Sequence, residues 1–140
     1  MFKLKTAASF DSAHFLKGYE GKCSNIHGHR WTVEVTVKGD LQDQGTKRGM
    51  VIDFGDLKNA VNQLADSFDH TLIYEENSLS DAAVKVLREE GFSLTKVPFR
   101  PTAENFAAHF YKTLRASGLE VSAVKVYETP NNCAVYEEDK

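Results

Sequence analysis

Trp31, Val33, Val35 and Val37 alternate with Thr32, Glu34 and Thr36, and the run stops at the turn-forming Lys38-Gly39-Asp40. Such alternation suits a strand with one buried face and cannot gather its apolar residues on one side of a helix. A second alternation opens the chain, with Phe2, Leu4, Thr6, Ala8 and Phe10 in one phase and Lys3 and Lys5 in the other. Two long strands commit the chain to a sheet whose apolar face needs a covering layer. A chain of 140 residues suffices for one ordinary core and not for two, so residues 1–140 are read as a single domain.

Helical spacing supplies that layer. Leu57, Val61, Leu64 and Phe68 recur at helical intervals over Asp56–Phe68, with Asp53 placed as an N-cap. A weaker helix is expected over Ser80–Glu90, ended by Gly91. Pro101-Thr102 opens a third, which carries Phe106, Phe110 and Leu114 and closes before Gly118. Val121–Glu128 and Cys133–Tyr136 read as strands joined by the turn Thr129-Pro130-Asn131-Asn132. The expectation is an α+β fold of order ββααββ with an extra helical insertion: a four-stranded antiparallel sheet with helices on one face.

A formal net charge of −3 speaks against a general polyanion-binding surface, so nucleic acid is not an expected partner. No apolar run approaches the roughly 20 residues that span a bilayer, and the N-terminus lacks a signal-like stretch. A cytoplasmic protein with no membrane partner is expected. In that compartment Cys23 and Cys133 are not expected to pair, and each thiol needs its own explanation.

Chemistry concentrates before the second strand. If His27-Gly28-His29 is already extended, its two imidazoles project from one face. His14, in phase with Phe10 and Ser12 on the first strand, can join them from a neighbouring antiparallel strand. Three imidazoles with a vacant fourth position is the donor set of a catalytic zinc, whereas structural zinc is usually closed by four protein ligands. Taken singly, each histidine reads as an ordinary surface or core residue, since isolated histidines are usually not ligands. Cys23 lies four residues before His27, where it can serve as a base or nucleophile, a fourth ligand, or an inert packed thiol.

Asp69-His70 can form a proton relay or simply end a helix favourably. Glu128 continues the phase of Val124 and Val126, so its inward carboxylate needs a partner, either a guanidine-like ligand edge or an internal cation. Glu104 sits in a first helical turn, where acidic residues are common for capping alone. His109 and Cys133 are read as structural.

Phe10-Asp11-Ser12-Ala13-His14, Cys23-Ser24-Asn25-Ile26-His27-Gly28-His29, Asp69-His70-Thr71-Leu72, Pro101-Thr102-Ala103-Glu104-Asn105 and Tyr127-Glu128-Thr129 together resemble the 6-pyruvoyl-tetrahydropterin synthase family along nearly the whole chain. The resemblance implies His14, His27 and His29 as Zn2+ ligands, Cys23 as the proton-abstracting group assisted by Asp69 and His70, and Glu128 as pterin anchor. Thr102 and Glu104 match residues lining the pterin pocket. It also implies the tunnelling fold and a homo-oligomer, commonly a hexamer of two stacked trimers, with active sites between subunits. The Cys-x3-His-Gly-His spacing is similar to the bacterial 6-carboxy-5,6,7,8-tetrahydropterin synthases of queuosine biosynthesis. These are lyases that release acetaldehyde and triphosphate from 7,8-dihydroneopterin triphosphate. The alternatives are the pyruvoyl-forming relatives and, outside catalysis, a zinc-stabilised binding module with Cys23 as fourth ligand. The stretch from about 75 to 100 is longer than in short family members.

Overall fold

The computed structural model describes residues 1–139. The N-terminal alternations form β1 (Phe2–His14) and β2 (His27–Gly39), joined by a loop with one 3-10 turn at Lys22–Ser24. They pair antiparallel in a continuous register from Phe2 opposite Gly39 to His14 opposite His27. Both strands outrun the apolar alternation that revealed them, and their histidines meet at one end of the ladder.

Helix α1 (Phe54–Asp66) starts where the Asp53 carboxylate accepts the Gly55 N–H, as expected of an N-cap. Ser80 caps α2 (Asp81–Glu89) through the Ala83 N–H, and Thr102 caps α3 (Ala103–Ala116) through the Asn105 N–H. Gly91 and Gly118 follow α2 and α3 with φ of 93° and 104°, a left-handed conformation that costs glycine little. The C-terminal hairpin consists of β5 (Val121–Thr129) and β6 (Asn132–Tyr136).

Two further strands, β3 (Thr71–Glu75) and β4 (Leu94–Val97), correct the expected topology. The sheet has six strands in the order β4-β3-β1-β2-β5-β6, not four. It is mixed, because β3 runs parallel to both β1 and β4. The chain order is ββαβαβαββ rather than ββααββ with an insertion. The physical reason is that parallel neighbours need a crossover, which α2 provides between β3 and β4.

Helices α1 and α3 cover one face of the sheet. Leu57 and Val61 of α1 and Phe106, Phe110 and Leu114 of α3 pack with Phe10, Trp31, Val33, Val35, Val124 and Val126 in one buried cluster. Phe10 stacks at 6.0 Å on Trp31 and at 6.2 Å on Phe110. Burying each such side chain contributes roughly 1.5–3 kcal/mol. Helix α2 departs from the one-face expectation. It buries none of its own residues, and Val84 and Arg88 border a hollow with Tyr74 and Lys96 on the reverse face. Tyr74 is buried without belonging to the main cluster. Among the described residues no helix is long and apolar enough to cross a membrane.

Candidate metal centre and active site

The continuous β1–β2 register fixes which side chains meet. Phe10 faces Trp31, Ser12 faces His29 and His14 faces His27, so the phase that builds the apolar core turns into a histidine cluster at the ladder's end. Ring centroids lie 4.5 Å apart for His14 and His27, 5.2 Å for His14 and His29, and 5.0 Å for His27 and His29. One ligand atom from each converges within 4.8 Å of the others. Trp31 stands edge-on beneath, 4.9 Å from His14 and 5.5 Å from His29.

Backbone carbonyls settle the tautomers. Nδ1 of His14 lies 2.7 Å from the Pro101 carbonyl oxygen, and Nδ1 of His27 lies 2.7 Å from that of Asn25. A carbonyl only accepts, so each Nδ1 carries the proton and each Nε2 keeps its lone pair. Nε2 of His14 and of His29 are buried with no hydrogen-bond partner. An unpaired buried polar atom costs about 1–3 kcal/mol, a cost that a ligand bound between these two atoms would remove.

Electrostatics favour the same outcome. Burial pushes the His14 imidazole down to about 4, against the Pro101 hydrogen bond that raises it, and His27 and His29 lower it further. Burial also lowers His29, opposed by the Glu128 carboxylate. Both rings are neutral at pH 7, the form that ligates metal. Three converging imidazoles, two of them with tautomers fixed by backbone carbonyls, suit a divalent ion. The Cys23 sulfur is not among the converging atoms.

Cys23 occupies the 3-10 turn, half-buried, and its carbonyl accepts the Leu16 N–H at 2.9 Å, which closes the loop after β1. Glu128 approaches from β5, where the pairing with β6 shifts between Tyr127 and Thr129. Its Oε1 lies 3.7 Å from His29 Nε2, on the side the sequence phase predicts. Glu128 and His29 border a cleft of about 520 Å³ whose other walls include Gly28, Arg30, Thr32 and Tyr127, so it opens on the reverse side of the sheet from His14 and His27.

Thr102 places its hydroxyl on the α3 cap, and Glu104 projects exposed from the first turn. The residue before the cap contributes the carbonyl that holds His14. Sequence reasoning missed that role for Pro101, as it missed Asn25 and the Trp31 floor. Main-chain carbonyls leave no residue-type signature, whereas the phase of Trp31 with His29 was available.

Asp69 and His70 do form a pair, at the reverse face. Asp69 Oδ1 accepts the Asp11 N–H at 2.8 Å, while Oδ2 lies 2.7 Å from His70 Nδ1. The Asp11 N–H, then the His70 ring, hold the Asp69 carboxyl below its usual range, and Asp69 in turn raises His70. Arg30 grips the Asp11 carboxylate with two 3.0 Å hydrogen bonds. Among the described residues no hydrogen bond or ion pair joins Asp69 or His70 to Cys23. His109 sits among Phe68, Phe99 and Phe110, and Cys133 is exposed on β6.

Against known proteins, the profile of the 6-pyruvoyl tetrahydropterin synthase family matches residues 3–139. The chain belongs to that family. It is 40% identical over 141 residues to the 6-carboxy-5,6,7,8-tetrahydropterin synthase of Haemophilus influenzae, covering 99% of this chain and 100% of that one. Among solved structures it resembles an uncharacterized protein from Wolinella succinogenes, with a TM-score of 0.79 at 21% identity over 99% of this chain and 98% of the other. It also resembles the 6-pyruvoyl tetrahydropterin synthase of Caenorhabditis elegans, with a TM-score of 0.69 at 24% identity over 99% and 96%. These structural likenesses establish that the 6-pyruvoyl tetrahydropterin synthase family and this α+β chain share a fold.

Proposed function

We propose that the protein is a lyase converting 7,8-dihydroneopterin triphosphate and water into 6-carboxy-5,6,7,8-tetrahydropterin, acetaldehyde and triphosphate, a step toward queuosine. The observation that carries this reading is the convergence of His14, His27 and His29, two of which, His14 and His29, bury an Nε2 with no hydrogen-bond partner. It occurs in a chain 40% identical along its length to a synthase of that name.

His14, His27 and His29 hold the metal, which we assign as Zn2+ from three imidazole nitrogen donors with no fourth protein donor converging on them among the described residues. When bound, the ion supplies Lewis-acid polarisation of substrate side-chain oxygens. Cys23 moves the proton from the substrate side chain, its half-buried thiol carried on the loop between β1 and β2. Glu128 accepts from the amino-pyrimidine edge of the pterin, and the family resemblance adds Thr102 and Glu104 to the pterin's surroundings. That contact aims the side chain at the histidines and contributes positioning rather than bond-making.

Asp69 and His70 lie on the other side of the sheet from the cluster within one chain, so we assign them to the Cys23 of a neighbouring subunit in a homo-oligomer, a hexamer in the family's pattern. The two free cysteines suit a reducing cytoplasm.

The deciding experiment incubates zinc-loaded protein with 7,8-dihydroneopterin triphosphate and follows acetaldehyde and the pterin product by mass. Acetaldehyde with a carboxy-pterin supports the reading. A pyruvoyl product without acetaldehyde transfers the chain to the pyruvoyl-forming branch. No turnover, together with unfolding on metal removal, makes it a zinc-stabilised binding module.

A further inference from the structure

Arg100 precedes the proline whose carbonyl holds His14, and its side chain reaches a different segment. Its Nη2 donates to the Lys17 carbonyl at 3.1 Å, and its guanidinium carbon stands 5.9 Å over the Tyr19 ring. The Tyr19 ring in turn presses on the chain beside Cys23. A Cβ added at Gly21 would lie 2.6 Å from Tyr19 Cε2, so a larger residue there would push this exposed ring aside. Guanidinium, ring and glycine backbone form a layered stack two residues from the thiol.

The Arg100 end of this stack is itself anchored. The Arg100 carbonyl accepts the Thr102 N–H at 2.7 Å and the Asn105 Nδ2 at 2.9 Å, which ties it to the first turn of α3. Within the loop, the Leu16 to Cys23 hydrogen bond and the Asn25 amide on the Lys22 carbonyl complete the hold. One residue therefore links the segment that orients His14 to the segment that carries Cys23. Lys17, Gly18, Tyr19, Glu20 and Gly21 are exposed, so little apolar burial would otherwise fix their path.

We propose that Arg100 is a positioning residue that clamps the Cys23 loop against the α3 N-terminus, so that the thiol and the histidine cluster hold one geometry. The proposal rests on the proton-transfer role assigned to Cys23. Arg100 touches neither metal nor substrate in this role. Losing it releases residues 17–21 of the loop, whereas the Pro101 and Asn25 carbonyls still hold His14 and His27. Placement errors of about 1 Å at a reacting group are enough to cost up to about a hundredfold in rate.

The test uses full-length protein in a Cys133→Ser background, where Cys23 is the one thiol. Arg100→Met is expected to raise the iodoacetamide alkylation rate of Cys23 about threefold or more, as a half-buried thiol gains access. With zinc and substrate, kcat is expected to fall about tenfold or more while KM and metal stoichiometry stay near wild type. Arg100→Lys restores one donor but not the flat contact with Tyr19, and should fall between. Tyr19→Ala should reproduce the Arg100→Met effect and Tyr19→Phe should not; this pair also decides the matter if Arg100→Met fails to fold. Wild-type alkylation rates in Arg100→Met and Tyr19→Ala overturn the clamp. A raised KM at unchanged kcat also overturns it, making Arg100 a substrate contact. Alkylation needs no substrate, so failure of the proposed reaction remains distinguishable from failure of the clamp.

Discussion

At the scale of single residues, the histidines and Cys23 make separable contributions. His27→Ala removes a ligand atom from the cluster, and purified protein should lose most of its zinc by atomic absorption. Cys23→Ala should keep metal and fold while losing turnover by about a hundredfold or more. A zinc-free, unfolded Cys23→Ala would instead make Cys23 a fourth ligand. His14 also sets a pH dependence in metal-free protein. Its folded value is about 4 against 6.5 for the free side chain, so the unfolded chain takes up the proton first. The stabilisation from keeping that ring neutral is complete above about 6.5 and is lost as pH falls toward 4. Urea midpoints of metal-free protein should fall across that window, and His14→Gln should flatten the fall. The histidine convergence was legible because period-two phase carries from apolar side chains to ligands, from Phe10 and Ser12 to His14 on β1. The carbonyls of Pro101 and Asn25 were not, since every residue type has one.

At the scale of elements, the long segments were readable and the short ones were not. β1, β2, α1 and α3 each bury several side chains in phase, which impresses a period on the sequence. β3 and β4, of five and four residues, are too short to show one. Thr71 and Ile73 are buried on one side and Tyr74 on the other, so β3 displays no clean alternation. α2 was legible from its terminal glycine, with Ser80 read as helical where it is the cap, and because it buries nothing its side of the sheet was left undetermined. The start of α3 matters beyond its own stability. Thr102→Ala removes the cap on Asn105 and should cost about 1 kcal/mol in chemical denaturation. Fraying there also loosens Pro101 from His14, so zinc affinity measured by chelator competition should fall, and an unchanged affinity would uncouple cap from metal.

At the scale of the whole molecule, the core between α1, α3 and the sheet closes without help from the metal. Trp31, Phe10, Phe106 and Phe110 are all at 1% exposure or below. Chelator-treated protein should therefore keep its circular dichroism spectrum and lose only the thermal stability that metal binding adds by mass action. Collapse to an unfolded chain on zinc removal would contradict this. The β1–β2 ladder has a different consequence. Opposite Ser12 and His29 on the helix side, the very next rung carries Asp11 and Arg30 on the reverse side. A slip of one rung between these strands would turn His27 and His29 away from His14 and break the Asp11–Arg30 grip in the same stroke. The ladder thus works as a vernier. Its many matched rungs make a single-residue error detectable everywhere along its length, so two polar constellations on opposite sides are aligned by one act of strand pairing.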